Sequence, residues 1–218
     1  MHNTPHKNKE NLAESKTFTS DTGSKIVFWD RESALNLDDS SFRDLLLDLY
    51  QKLDIVSADL KINVPFVSLS RLISLDGTVE IGHTYYAEDF PDQLDRDLIL
   101  LDPIFKSNNI LWYGTLLHEV RHVWQRTHHT GEFKFKPTGE FGSYRSPSEI
   151  DADGYALAVL CVCYSIPIED LADVFCRNVK NQDYAGYSAR LRSARKIKKT
   201  LRLRYYRILF REEHETAE

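Results

Sequence analysis

Leu116-Leu117-His118-Glu119-Val120-Arg121-His122-Val123-Trp124-Gln125 is the stretch from which the rest of the chain is best read. His118 and His122 are four residues apart, one above the other on a helix, so their ring nitrogens can aim at a single point. Glu119 leaves the neighbouring edge of the same face, where it can reach a water held at that point without displacing a ligand. The pattern is HExxH, in which two imidazoles bind a metal and the carboxylate acts as general base. Leu116, Leu117, Val120, Val123 and Trp124 follow the spacing of a core-packed helix, which sets the histidine pair on the margin of a buried stripe. The plain alternative, a surface helix that happens to carry two histidines, fits that stripe poorly.

Two histidines do not close a catalytic zinc site, and the sequence offers two candidates for a third ligand. In Ser146-Pro147-Ser148-Glu149-Ile150-Asp151-Ala152-Asp153, Glu149 and Asp153 share one face of a second helix. Glu149 can bind the metal, and Asp153 can accept the second N–H of a ligand histidine. The competing reading makes Ser146 an N-cap, Pro147 the first helical residue and Glu149 the return half of a capping box. The other candidate is His128. A metzincin needs a glycine three residues after the second histidine and a methionine turn, but this chain has Gln125 there and Met1 as its single methionine. His128 is therefore read as a helix-end residue suited to the negative pole of the dipole, like Arg126.

HEVRHVWQ followed by PSEIDADGYA resembles the gluzincin arrangement, HExxH and then a glutamate on a downstream helix. It is most similar to the small intracellular ImmA/IrrE-like zinc peptidases, whose ExxAxxxA-like segment is matched by Glu149, Ala152 and Ala156. The resemblance spans residues from about 63 to 165. It implies a zinc peptidase acting on a protein or peptide substrate, with His118, His122 and Glu149 as metal ligands and Glu119 as base. Arg121 and the Asp-rich second helix depart from the commonest family pattern.

The composition is that of a modest globular enzyme: 218 residues, 42% hydrophobic, formal net charge −5. No apolar run reaches membrane-span length, and the N-terminus has no apolar signal region, so a cytoplasmic location is expected. Cys161, Cys163 and Cys176 make no even disulfide framework and read as buried thiols.

The expected fold is α+β, a small antiparallel sheet packed on the HExxH helix and further helices. Residues 1–24 read as a disordered polar tail, 25–188 as the metallopeptidase-like domain, and 189–218 as a basic amphipathic helix with an acidic tail. Lys25–Trp29 is a short strand and Ser41–Leu53 a helix capped from Asp39, Ser40 or Ser41. Val64–Leu72, Thr78–Tyr86 and Asp97–Leu101 are β-prone. Asp97–Leu101 is the expected edge for an extended substrate, although its Leu-Ile-Leu-Leu run reads equally as core. The HExxH helix begins near Asn109, and another covers Ile168–Val179. His83, Tyr85, Tyr86, Tyr144 and Tyr155 are the candidate oxyanion donors.

Ten of the 28 lysines and arginines fall between Arg190 and Arg211, a stretch without acids, leaving 18 against 33 acids elsewhere. Ile197, Leu201, Tyr205 and Ile208 recur at helical spacing there. Three readings stay open: docking on the acidic body of the same chain, binding nucleic acid, or lying on an anionic membrane surface. Two functions follow. One is the zinc peptidase; the other is a regulatory or nucleic-acid-binding module working through residues 190–211, with a non-catalytic metal site.

Overall fold

The computed structural model describes residues 15–73, 79–129 and 145–201. Tyr144, Tyr205, Ile208, the acidic tail and the first fourteen residues lie outside them. The strands are β1 (Lys16–Thr19), β2 (Lys25–Phe28), β3 (Phe66–Leu69), β4 (Leu72–Ile73), β5 (Val79–Glu80), β6 (Gly82–Tyr85) and β7 (Leu98–Leu101). The helices are α1 (Arg31–Leu35), α2 (Ser40–Leu60), α3 (Asn109–His128), α4 (Pro147–Tyr164), α5 (Ile168–Phe175), α6 (Arg177–Gln182) and α7 (Tyr184–Lys198). The class is α+β, as expected.

The central sheet has the order β3-β7-β6 and is mixed: β7 runs antiparallel to β6 but parallel to β3, pairing Phe66 with Leu98 and Leu69 with Leu101. β7 is buried along its whole length. Leu98 and Leu100 face a small cluster with Phe18, Ile26, Phe28 and Phe66, whereas Ile99 and Leu101 join the main helical core. A strand covered on both faces reads as an unbroken apolar run, and Leu-Ile-Leu-Leu is one. This corrects the assignment of Asp97–Leu101 as the substrate edge, because β7 has a strand on either side. The edge falls instead to β6, whose far side carries no partner strand among the described residues.

Phe18 supplies a second correction. Lys16–Thr19, placed by the sequence in the unstructured tail, pairs antiparallel with β2, and Phe18 is fully buried. Four residues with a single apolar anchor are too few to show periodicity, yet enough to cap the second cluster.

Helix α2 starts where Asp39 accepts the Phe42 N–H at 3.0 Å. It runs beyond Leu53 because Val56 and Leu60 continue the buried row of Leu46, Leu49 and Leu53. The span Ile168–Val179 is two helices, α5 and α6, with Cys176 at the break. Helix α4 has buried residues all round, from Ala152 to Cys161, because α3 flanks it on one side and α7 on another. α7 begins at Tyr184, ahead of residue 189, and buries Tyr187, Arg190 and Ala194, with Ile197 and Leu201 packed against the main core. No helix among the described residues is long and apolar enough to cross a membrane.

Candidate metal centre

Helices α3 and α4 face each other across three of the expected side chains. His118 Nε2 lies 3.3 Å from Glu149 Oε2, and His122 Nε2 lies 3.3 Å from Glu149 Oε1. The two Nε2 atoms are 2.9 Å apart. With bonds of about 2.0–2.1 Å, the ligand atoms of a tetrahedral ion stand about 3.3–3.4 Å from one another. Both histidine–carboxylate separations have that span, each to its own oxygen of Glu149, while the two Nε2 atoms stand closer together than it. His118, His122 and Glu149 form a cluster that could hold a metal. Two imidazoles and a carboxylate suit Zn2+, and also iron, cobalt or nickel.

The capping-box alternative for Glu149 is not what the structure contains. Ser146 makes no side-chain cap bond; its hydroxyl meets that of Ser148 at 2.7 Å. His128 is apart from the cluster, its Nε2 3.2 Å from the Lys61 carbonyl oxygen and its ring beside Trp124.

Each histidine of the cluster is held from behind. His118 Nδ1 lies 2.7 Å from Asp153 Oδ1, the partner expected from the four-residue spacing of Glu149 and Asp153. His122 Nδ1 lies 2.9 Å from Gln125 Oε1. The Gln125 amide donates in turn to the Ser148 carbonyl and to Asp151 Oδ2, both at 2.9 Å. Arg121 grips the same Asp151 with two N–H groups, at 2.7 and 3.2 Å, while its guanidinium lies 3.5 Å over the Trp124 ring. Arg121 and Gln125, which looked like departures from family patterns, thus position His122. Occupying both Nδ1 atoms leaves both Nε2 atoms to serve as ligands.

The electrostatics follow from this packing. Burial alone would push the His118 imidazole down, but the charge and hydrogen bond of Asp153, joined by Glu149, hold it well above its ordinary value. His122 is raised too, the Glu149 contact outweighing burial and the charge of His118. Burial alone would raise the Glu149 carboxyl, yet its contacts with His118 and His122 hold it far below the carboxylate range. The raised imidazoles stabilise the metal-free fold below their ordinary value, a contribution lost as pH rises through the raised one; the lowered carboxylate contributes above its ordinary value. Metal must displace protons from both imidazoles. Zinc affinity is therefore expected to fall with falling pH below the raised imidazole range. The fall should reach about a hundredfold per pH unit where both rings are protonated, and zinc titration across a pH series measures it.

Glu119 is buried against β6, where Thr84 Oγ1 donates to its Oε2 at 2.7 Å. The contact needs a close approach of strand to helix, and Gly82 provides it. A Cβ at Gly82 would sit 2.4 Å from Thr115 Cγ2 and 3.1 Å from Glu119 Oε1. Gly82→Ala is expected to cost about 1–3 kcal/mol, read by denaturant unfolding, and to displace Glu119. Thr84 and Gly82 carry no sequence signal; only the pairing of β6 beside α3 reveals them.

These groups line a cleft of about 1210 Å³. Its walls include the β6 residues His83, Thr84 and Tyr85, then Tyr86 and Phe90. Arg126 on α3 reaches across to Glu88 and to Asp89, the latter at 3.0 Å. Of the expected oxyanion donors, His83, Tyr85 and Tyr86 line the cleft. Tyr155 is buried in the core beneath Arg121 and is removed from that group. Burial, and then the charge of Glu119, raises the Tyr86 phenol, so it stays protonated and able to donate. Comparison of the chain with protein-family models, curated proteins and solved structures finds no match to any of them.

Proposed function

We propose that the protein is a zinc-dependent endopeptidase. The observation that carries this reading is the meeting of the His118–His122–Glu149 cluster with a buried, oriented Glu119 carboxylate in a cleft bordered by an open strand edge. When bound, the ion supplies Lewis acidity, bringing the pKa of a water towards neutrality and polarising a carbonyl. Glu119 accepts the proton of the water as its oxygen attacks the peptide carbon, then passes that proton to the departing amine as the C–N bond breaks. Thr84 keeps the carboxylate aimed during both transfers. Tyr86 donates to the oxyanion that develops, and β6 holds the substrate extended by backbone pairing. Cys161, Cys163 and Cys176 are in no disulfide, which agrees with a reducing, cytoplasmic setting.

The test is incubation of the zinc-loaded protein with unfolded protein substrates in H2(18)O. New C-termini carrying one heavy oxygen, lost with a chelator and restored by zinc, are expected. Absence of both stoichiometric zinc and new termini would overturn the reading. The alternative, an anionic partner for the basic segment, draws on the exposed Arg192 and Lys196 of α7 and on Lys199 just beyond its end. It predicts salt-sensitive binding of a duplex oligonucleotide that charge reversal at these three residues removes.

A further inference from the structure

Arg190 is the one arginine that α7 buries, its side chain 3% exposed. Its Nε donates to Asp153 Oδ2, and its Nη1 donates to the Gly186 carbonyl at 3.2 Å, one turn back along the same helix. The other oxygen of Asp153 holds His118. Arg190, Asp153 and His118 therefore form a continuous chain from the backbone of α7 to Nδ1 of the His118 ring, whose Nε2 faces the cluster. We propose that Arg190 is a positioning residue of the metal centre: through Asp153 it fixes the ring orientation and tautomer of His118, which makes α7 part of the site.

Stability alone accounts poorly for this arrangement. A buried guanidinium and carboxylate give back in attraction about what they lose in desolvation, and apolar residues of similar volume often do as well or better. The local packing is also shaped to admit the contact. Gly154, adjacent to Asp153, lies against α7 so closely that a Cβ there would be 2.4 Å from Ser193 Oγ and 3.1 Å from the Ala194 backbone nitrogen. A larger residue would push α7, and Arg190 with it, away from Asp153. The parallel with the other ligand is direct, since the Gln125–Asp151 support of His122 also ends on an arginine, Arg121. The two arms differ in that His118 meets a carboxylate and His122 a neutral amide, so the Arg190 arm carries a charge whose direction must be held.

The proposal rests on the metal-centre reading but not on peptidase activity, and its test is arranged accordingly. Zn2+ affinity is measured by competition with a chromophoric chelator, and the His118 tautomer by nitrogen NMR on the metal-free full-length protein at a pH above its raised imidazole range, where the ring is neutral. Arg190→Gln is expected to weaken zinc about 10–100-fold, the range for loss of an outer support, and to shift the His118 ring signals towards a mixture of tautomers. Arg190→Lys should recover part of both. Gly154→Ala, whose added methyl group meets Ser193 and Ala194 of α7, should reproduce the weakening. A merely structural role would lower the melting temperature of Arg190→Gln and leave its zinc affinity and His118 signals at wild-type values; that result overturns the proposal. If Arg190→Gln does not fold, Arg190→Lys and Gly154→Ala decide, and wild-type values in both overturn it. Should the wild type bind no zinc, the metal-centre reading fails, and the NMR comparison alone still decides whether Arg190 orients His118.

Discussion

Glu119→Gln is expected to bind zinc with wild-type stoichiometry and to lose about two to four orders of magnitude in peptide-bond cleavage, the range for removing a general base. The amide keeps the shape of the carboxylate and can still accept from Thr84 Oγ1, which stands 2.7 Å from Oε2 in the wild type. What it lacks is the capacity to take a proton. Glu119 also lies outside the ligand cluster, so the metal has no reason to leave. Zinc content by atomic emission and turnover of a cleaved protein, compared in the two forms, make the check. Retained turnover would remove Glu119 from the base role, whereas loss of zinc would show that it supports the ligands instead.

Glu149→Ala is expected to remove the third ligand and weaken zinc by about two to three orders of magnitude. Structural zinc in a four-ligand site is worth about 10–16 kcal/mol, so an even share is about 2.5–4 kcal/mol per ligand. The substitution leaves two imidazoles, edge to face, whose Nε2 atoms are 2.9 Å apart, without the carboxylate that α4 contributes. His128→Ala supplies the contrast. Its imidazole sits at the C-terminal end of α3 against the Lys61 carbonyl, so zinc binding should be unchanged. Reversal of these outcomes, with zinc kept in Glu149→Ala and lost in His128→Ala, would reassign the third ligand.

Much of this site is legible in the sequence because helical geometry is local. A four-residue spacing is enough to stack His118 on His122, and the same spacing relates Glu149 to Asp153. What stays hidden depends on segments meeting from far apart. Thr84 reaches Glu119 across 35 positions of sequence and Arg190 reaches Asp153 across 37, with nothing in either neighbourhood to announce the contact. The strand assignments show the same limit. The composition of Leu98–Leu101 reveals burial on both faces, yet a run of four cannot say which neighbours provide it. The end of α5 at Cys176 has no glycine or proline to mark it, so the apolar spacing of Leu171, Val174 and Phe175 carries the expected helix too far.

The candidate ligands stand on two helices, 31 residues apart between His118 and Glu149. An ion seated there is a cross-link as well as a reagent. It closes a loop of about thirty residues, a constraint whose entropic value grows only slowly with length but which an unfolded chain cannot reproduce. Any ligand confined to the folded state adds RT ln(1 + [L]/Kd) to its stability, about 2.7 kcal/mol at a hundred times Kd. Depletion of the ion would then loosen the clasp between α3 and α4, so that the metal-starved protein becomes a better substrate for proteases.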